Sequence, residues 1–303
     1  MGNAKGAMRW KSDLTLLFVA AIWGSGFVAQ RLATTQLSTS YFNGGRFVLA
    51  ALMLLIFALF QRGKPRVTRA ELPWMILAGS LLFAAAWLQQ AGLVTTTIGN
   101  ASFITGLYVV LVPMILLVFW KKRVSWLSWM AVFLAALGVM LLSLQGEFRL
   151  ARGDALELAG AVMWALHVIL IGRLAGQGAN VLWFSVIQFA ICGLLNFMLA
   201  FGLDPQGAGS LLAAWPVIVY SGILPIGIGF SLQIAGQRHA QPVDAAIILS
   251  TEAVFGTLFG YLFLQELLSP RQLFGCALLL AAMILAQMRP GEAAQEPAVV
   301  VES

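Results

Sequence analysis

From Leu72 to Trp120 the chain runs for 49 residues without one charged side chain. A helix crosses a bilayer with about 20 apolar residues. At about 1.5 Å of rise per residue, this run is more than twice a membrane thickness. It must hold two helices, and the polar stretch Thr95-Thr96-Thr97-Ile98-Gly99-Asn100 is the turn between them. Leu174 to Leu203 and Pro205 to Gln237 are also uncharged. Each fits one span plus a loop.

Extended along the chain, this reading counts ten spans: roughly 13–31, 41–61, 72–93, 99–120, 125–144, 154–173, 181–202, 215–236, 243–264 and 271–288. Inside lipid, only helices and closed barrels satisfy the backbone polar groups. Barrel strands are segments of about ten alternating residues, and these runs are too long and too continuous for that. The expected class is an all-α polytopic membrane protein. Composition agrees: the 303 residues are 60% hydrophobic and 10% charged, against about 45–50% and 25% in soluble domains. That excludes a soluble enzyme, a disordered chain and a nucleic-acid-binding domain. The pI of about 9.7 is then a positive-inside bias rather than a nucleic-acid footprint.

With the N-terminus placed in the cytoplasm, five of the 18 lysines and arginines fall on the outer side: Arg31, Arg46, Arg149, Arg152 and Arg271. The other thirteen lie inside, so an even number of spans with both termini cytoplasmic is expected. Lys5, Arg9 and Lys11 before the apolar run from Leu14 mimic a signal peptide. That run is about 17 residues long and more spans follow, so it reads as an uncleaved first helix. Cys192 and Cys276 sit in apolar runs as small buried residues, not as a disulfide or metal pair. Two histidines are too few for a His-rich metal site. No metal and no cofactor are expected.

The chain repeats itself. Leu88-Gln89-Gln90-Ala91-Gly92 matches Leu232-Gln233-Ile234-Ala235-Gly236 at an offset of 144, which also sets Ala101 on Ala245, Ile104 on Ile248 and Ser125 on Ser269. Phe42, Arg46 and Phe47 fall on Phe184, Gln188 and Phe189 at 142, and Trp23 on Trp164 at 141. Each copy holds five spans. An odd number inverts one copy relative to the other, placing a site near the midplane between halves that rock to alternate access.

Several short elements recur in a recognisable order: Ile22-Trp23-Gly24-Ser25, Gly45-Arg46-Phe47, Gly99-Asn100-Ala101-Ser102-Phe103-Ile104, Met163-Trp164-Ala165, Leu249-Ser250-Thr251-Glu252-Ala253-Val254-Phe255 and Leu264-Gln265-Glu266-Leu267-Leu268-Ser269. In these the chain resembles the ten-helix EamA branch of the drug/metabolite transporter superfamily over about residues 13–288. Two departures stand out: Ala253 follows the span 9 glutamate where the family often has proline, and Lys121-Lys122-Arg123 replaces an acidic residue often found at the end of span 4. The resemblance implies a secondary carrier of the inner membrane, commonly an exporter of amino acids or other small metabolites. Its cavity would be formed by spans 1, 3, 4, 6, 8 and 9. The expected organisation is a cytoplasmic segment 1–12, a first repeat 13–146, a second repeat 147–288 and a disordered cytoplasmic tail 289–303.

Ionisable residues within spans cost about 2.5–3.5 kcal/mol at a helix centre on insertion scales, so they need a reason. Glu252 in span 9 and His167 in span 6 lie near helix centres, as candidates for binding an amino group or a coupling proton. The structural alternative is hydrogen bonding between helices. Arg46 is a candidate carboxylate anchor; otherwise it pairs with Glu157 near the outer end of span 6, or each snorkels to the interface. Gln89, Gln90 and Gln233 are candidates for hydrogen-bonding a substrate, with joining neighbouring helices as the alternative. Trp23, Trp87, Trp164 and Tyr108 are candidate aromatic walls for an organic cation. Asn100 and Asp244 read as helix N-caps, and Glu266 as the partner of Arg271 in a loop. Trp10, Trp74, Trp126, Trp129 and Trp215 read as an interfacial belt. Pro113 and Pro225 interrupt spans 4 and 8, freeing carbonyls toward a cavity. Gly256 and Gly260 read as a helix-packing face.

The function expected is secondary transport of amino acids, amines or similar metabolites by alternating access, with proton coupling through Glu252 or His167. The partners are a small-molecule substrate and the lipid bilayer, not nucleic acid, with monomer and homodimer both open. The competing reading is a lipid-handling protein or flippase, ahead of an intramembrane enzyme. No HExxH, GxSxG or nucleotide-binding glycine loop is present, so no catalytic residue is named and no self-contained ATP-driven pump is expected.

Overall fold

A computed structural model describes residues 2–61, 67–96, 98–143, 152–203, 205–264 and 269–288. Among these, every regular element is helical. Eight helical stretches are long and apolar enough to cross a membrane, and two shorter apolar helices, Trp126–Leu142 and Pro270–Ala286, complete the ten. We number the spans in chain order. Span 1 is Gly2–Ala33, span 2 Thr39–Phe60 and span 3 Leu72–Thr95. Span 4 is Ile98–Gly106 with Tyr108–Trp120, and span 5 is Trp126–Ser143. Span 6 is Arg152–Gly176 and span 7 Val181–Leu203. Span 8 runs through Trp215–Ser221, Gly222–Phe230 and Ser231–Gly236, span 9 through Pro242–Leu249 and Glu252–Leu264, and span 10 is Pro270–Gln287. The first helix begins well before the residue 13 expected from hydropathy. The expected tail and Glu266 lie outside the described residues.

The two short spans start alike. Ser125 Oγ accepts the Ser128 N–H at 3.2 Å, and Ser269 Oγ accepts the Gln272 N–H at 3.3 Å. These equivalent serines cap spans 5 and 10, supplying one of the partners a helix start lacks. The other expected caps differ. Asp244 sits in the first turn of its helix behind the cap Gln241 and takes an ion pair from Arg9 at 3.5 Å. Asn100 is the third residue of its helix rather than its cap.

Packing follows the repeat. Span 2 packs on span 7 and span 5 on span 10, each against its own counterpart. Span 1 packs on spans 8 and 9, and its counterpart span 6 packs on spans 3 and 4. Exchanging each span with the one five places later leaves these contacts unchanged, which is the signature of a twofold axis. With five spans per copy, that axis lies in the membrane plane.

Small residues permit the closest approaches. A Cβ on Gly24 would lie 2.7 Å from both the Glu252 carbonyl oxygen and the Gly256 nitrogen. Span 1 therefore seats on span 9 where that helix restarts. Gly138 and Gly275 bring spans 5 and 10 together, each Cβ position lying 2.8 Å from the other glycine's carbonyl oxygen. Spans 2 and 7 close tightly as well: a Cβ on Gly193 would lie 2.9 Å from the Val48 nitrogen. Gly24→Val should destabilise the detergent-solubilised protein by about 1–3 kcal/mol through overpacking. A melting temperature equal to that of the unsubstituted chain would overturn this account of the span 1–span 9 contact.

Candidate functional site

Three spans are interrupted near their middles, and the interruptions build the site. Span 4 breaks at Leu107, whose N–H bonds the Ile104 carbonyl at 3.1 Å; span 9 breaks at Ser250-Thr251, where the Thr251 N–H bonds the Ile248 carbonyl at 3.1 Å. Leu107 and Thr251 are 144 residues apart, the register of the repeat. In span 9 the hydroxyls of Ser250 and Thr251 fold back onto the Ile247 and Ile248 carbonyls, at 2.7 and 2.6 Å. Such bonding competes with the helix ladder. The consequence is positional: Tyr108 and Glu252 open the second halves of their spans. A carboxylate there faces the favourable end of the helix dipole.

Span 8 is interrupted differently. Gly222–Phe230 is wound as a π-helix around Pro225. Proline lacks the N–H and its ring crowds the preceding turn, so the turn widens. The Pro225 carbonyl oxygen accepts the Trp23 indole N–H at 3.0 Å. Gly229 makes room for that indole, since a Cβ there would lie 2.7 Å from Trp23 Nε1. Pro113, by contrast, lies inside a continuous helix, Tyr108–Trp120, so the interruption of span 4 comes earlier than the proline suggested.

These features surround one cleft enclosing about 650 Å³ of empty space, including space open to solvent. Trp23, Arg46, Gln89, Tyr108, Trp164, Gln233 and Glu252 all line it. Trp87, Gln90 and His167 do not. Trp87 donates to Ser40 Oγ at 2.9 Å. Gln90 donates to the carbonyl of Gln30 at 3.1 Å, behind the wall. His167 is fully buried, with Nε2 3.1 Å from Gln188 Oε1. Its ring rests 5.9 Å from those of Trp164 and Phe230, which do line the cleft.

Charge is sparse in this cleft. Arg46 is 4% exposed and stacks on Phe42 and Phe47 at 4.5 and 5.3 Å. No described carboxylate lies within ion-pair distance of it, and its Nε has no hydrogen-bond partner among the described residues. Glu252 makes no hydrogen bond or ion pair with a described side chain, and Tyr108, its counterpart in the first repeat, lines the same cleft. The expected pair of Arg46 with Glu157 is absent. Glu157 Oε2 instead accepts the Thr105 hydroxyl at 2.8 Å, and Thr105 also meets Gln89 at 3.3 Å. This buried network braces spans 3, 4 and 6 beside the cleft. The Arg46 guanidinium rests instead over the Phe42 and Phe47 rings.

Sequence reasoning missed Phe230, which forms the aromatic centre of the site. Its ring lies 4.7 Å from Trp23 and stacks on Trp164 at 5.9 Å. It stands three residues before Gln233, hence on the same helical face, and that spacing was the available signal. Thr105 was missed too, although it directly follows a recognised element. Among the belt tryptophans, Trp10, Trp126 and Trp215 are exposed, whereas Trp74 is covered by the Arg173 guanidinium at 4.4 Å.

The chain is thus an all-helical, two-repeat membrane protein with a cleft lined by both repeats. The EamA-like transporter family matches the chain twice, at residues 10–144 and 151–288. An uncharacterized transporter of Archaeoglobus fulgidus is 31% identical over 295 residues, covering 95% of this chain and 89% of that protein. The uncharacterized transporter YwfM of Bacillus subtilis is 26% identical over 298 residues, covering 92% and 94%. A solved crystal structure superposes with a TM-score of 0.77 at 17% identity, covering 92% of this chain and 98% of its own. The chain belongs to the EamA-like transporter family and is a multi-pass membrane protein.

The two equivalent tryptophans provide an internal comparison. Trp23 Nε1 is bonded, whereas Trp164 Nε1 is buried without a partner among the described residues. Trp23→Phe should cost about 1 kcal/mol of stability, the net worth of one hydrogen bond. Trp164→Phe should cost clearly less. Equal losses in melting temperature would contradict the role assigned to the Pro225 carbonyl.

Proposed function

We propose that this protein is a secondary transporter that moves small amino-bearing metabolites, amino acids or amines, outward across the inner membrane by alternating access. The observation that carries this reading is a cleft between two inverted repeats, with one carboxylate and one guanidinium that no described side chain neutralises. An amino group meets Glu252, and a carboxylate meets the bidentate face of Arg46. The rings of Trp23, Trp164 and Phe230 cover the body of the solute and favour a cation held over them. Gln89 and Gln233 supply hydrogen bonds from opposite repeats.

Proton coupling fits the same site. Glu252 binds either a proton or a cationic solute, so each displaces the other, and a proton gradient drives the exchange. One charge crossing 100 mV is worth about 2.3 kcal/mol. His167, shielded behind Trp164 and Phe230, is the second candidate for the proton. A lipid-handling role would call for a side opening between spans 2 and 7, and those spans are closed on each other at Gly193 and Gly44.

The test is untargeted mass spectrometry of medium and cytosol from cells overexpressing the chain, its Glu252→Gln variant or its Arg46→Gln variant. A nitrogenous solute should be enriched in the medium several-fold by the parent chain and lost with Glu252→Gln. If it carries a carboxylate, Arg46→Gln should lower the export about tenfold, the loss of one charge-assisted contact of about 1.4 kcal/mol. Undiminished export by Glu252→Gln, with the same pH dependence, would remove Glu252 from both binding and coupling.

A further inference from the structure

The lining of the cleft is only partly symmetric, and the asymmetry identifies residues of a state not seen here. Five repeat-related pairs line it with both members: Trp23 and Trp164, Phe27 and Val168, Gln89 and Gln233, Thr105 and Leu249, Tyr108 and Glu252. These lie about the twofold axis. Gly26, Gln30 and Arg46 also line it, while their counterparts His167, Ile171 and Gln188 do not. All three counterparts are completely buried.

In an inverted repeat, the two copies exchange conformations when the transporter changes the side to which it opens. A residue lining the cleft in one state then has its counterpart lining it in the other. We propose that access from the face carrying the N-terminus opens along His167, Ile171 and Gln188, as the Gln30 and Arg46 side closes. The inference rests on the alternating-access reading above.

Two independent observations support it. His167 Nδ1 and Gln188 Nε2 are buried without hydrogen-bond partners among the described residues. Unsatisfied buried polar atoms are costly and call for an explanation, and exposure to water in the alternate state supplies one. The path is also visibly plugged. Just beyond Ile171, Gln237 donates to the Val168 carbonyl at 2.9 Å, and Pro242 lies 3.2 Å from the position of a Cβ on Gly172. Farther toward that face, Arg9 joins span 1 to spans 9 and 10 through Asp244 at 3.5 Å and the Ala286 carbonyl at 3.3 Å. These contacts must part for the path to open.

Single cysteines in a Cys192→Ala, Cys276→Ser background test this with a membrane-impermeant thiol reagent, applied to right-side-out and inverted vesicles. Lys11→Cys marks the N-terminal face. Ile171→Cys and Gln188→Cys should react about tenfold faster from that face than from the other, and Gln30→Cys the reverse, as expected for sites exposed in opposite states of a two-state exchange. Leu249→Cys, at the axis, should react from both. Fluorescence-detected gel filtration keeps only variants that fold, and either of the two test positions suffices. If Ile171→Cys and Gln188→Cys stay unlabelled, or react from the Gln30 side, while Leu249→Cys reacts from both faces, the assigned path is wrong and alternation stands. If Leu249→Cys reacts from one face only, alternation falls and the proposal falls with it.

Discussion

A backbone N–H or C=O placed in hydrocarbon has no water to turn to, so a transmembrane helix can be broken only where protein or an aqueous cavity takes over its freed groups. This constraint ties the parts of the structure together. The three interruptions, at Leu107, at Ser250-Thr251 and around Pro225, all lie beside the cleft. Each finds local replacements: back-bonding hydroxyls in span 9, three-residue turns in span 4 and the Trp23 indole in span 8. The cavity and the broken helices depend on each other. The breaks are what place Tyr108, Glu252 and the π-wound stretch of span 8 around one space.

Close packing then sets how much room is left. Transmembrane helices gain little from burying apolar surface against each other, because lipid is already apolar. Contacts through small residues carry more of the association. Gly24 on span 9, Gly193 on span 2 and the Gly138–Gly275 contact hold helices at backbone distance. Bulky residues sit instead where the halves stand apart: Trp23, Phe47, Trp164 and Phe230 form the walls. The placement of glycine against tryptophan decides which interfaces are shut and which one gapes.

Much of this was legible in the chain. Uncharged runs yielded the spans, because removing charges is the one thing a bilayer demands over twenty residues. The offset of 144 yielded the twofold relation and, through Gln89 and Gln233, two residues of the cleft. Seven of the ten residues singled out for binding face it. The misses have physical causes. Trp87 and Gln90 share a span with Gln89, and only the exact rotation of that helix decides which side chain faces inward. Arg46 and Glu157 were both placed near one face of the membrane, but depth alone does not bring side chains together across different helices. The interruptions were only half readable. Proline marks span 8 correctly and span 4 wrongly, because a proline inside a helix can be absorbed without a break, while a Ser-Thr pair can open one with no proline at all.

A perfectly repeated chain would open equally to both sides, since its two states would be mirror exchanges of the same contacts. On the alternating-access reading proposed above, each substitution between repeat counterparts would bias that equilibrium. Arg46 stands where the other repeat has Gln188, Gln30 where it has Ile171, and Glu252 where the first repeat has Tyr108. In the conformation described, the guanidinium of Arg46 lines the cleft with no counter-ion among the described residues. Arg46 is already buried apart from its access to the cleft, and closing that side would remove this access, at a cost that a bound anion lowers. On the same alternating-access reading, a solute carrying a carboxylate would do more than occupy the cleft: by neutralising Arg46 it would make the opposite state reachable. Ligands shift two states only by binding them unequally, and on that reading an arginine present in one repeat alone would supply the inequality.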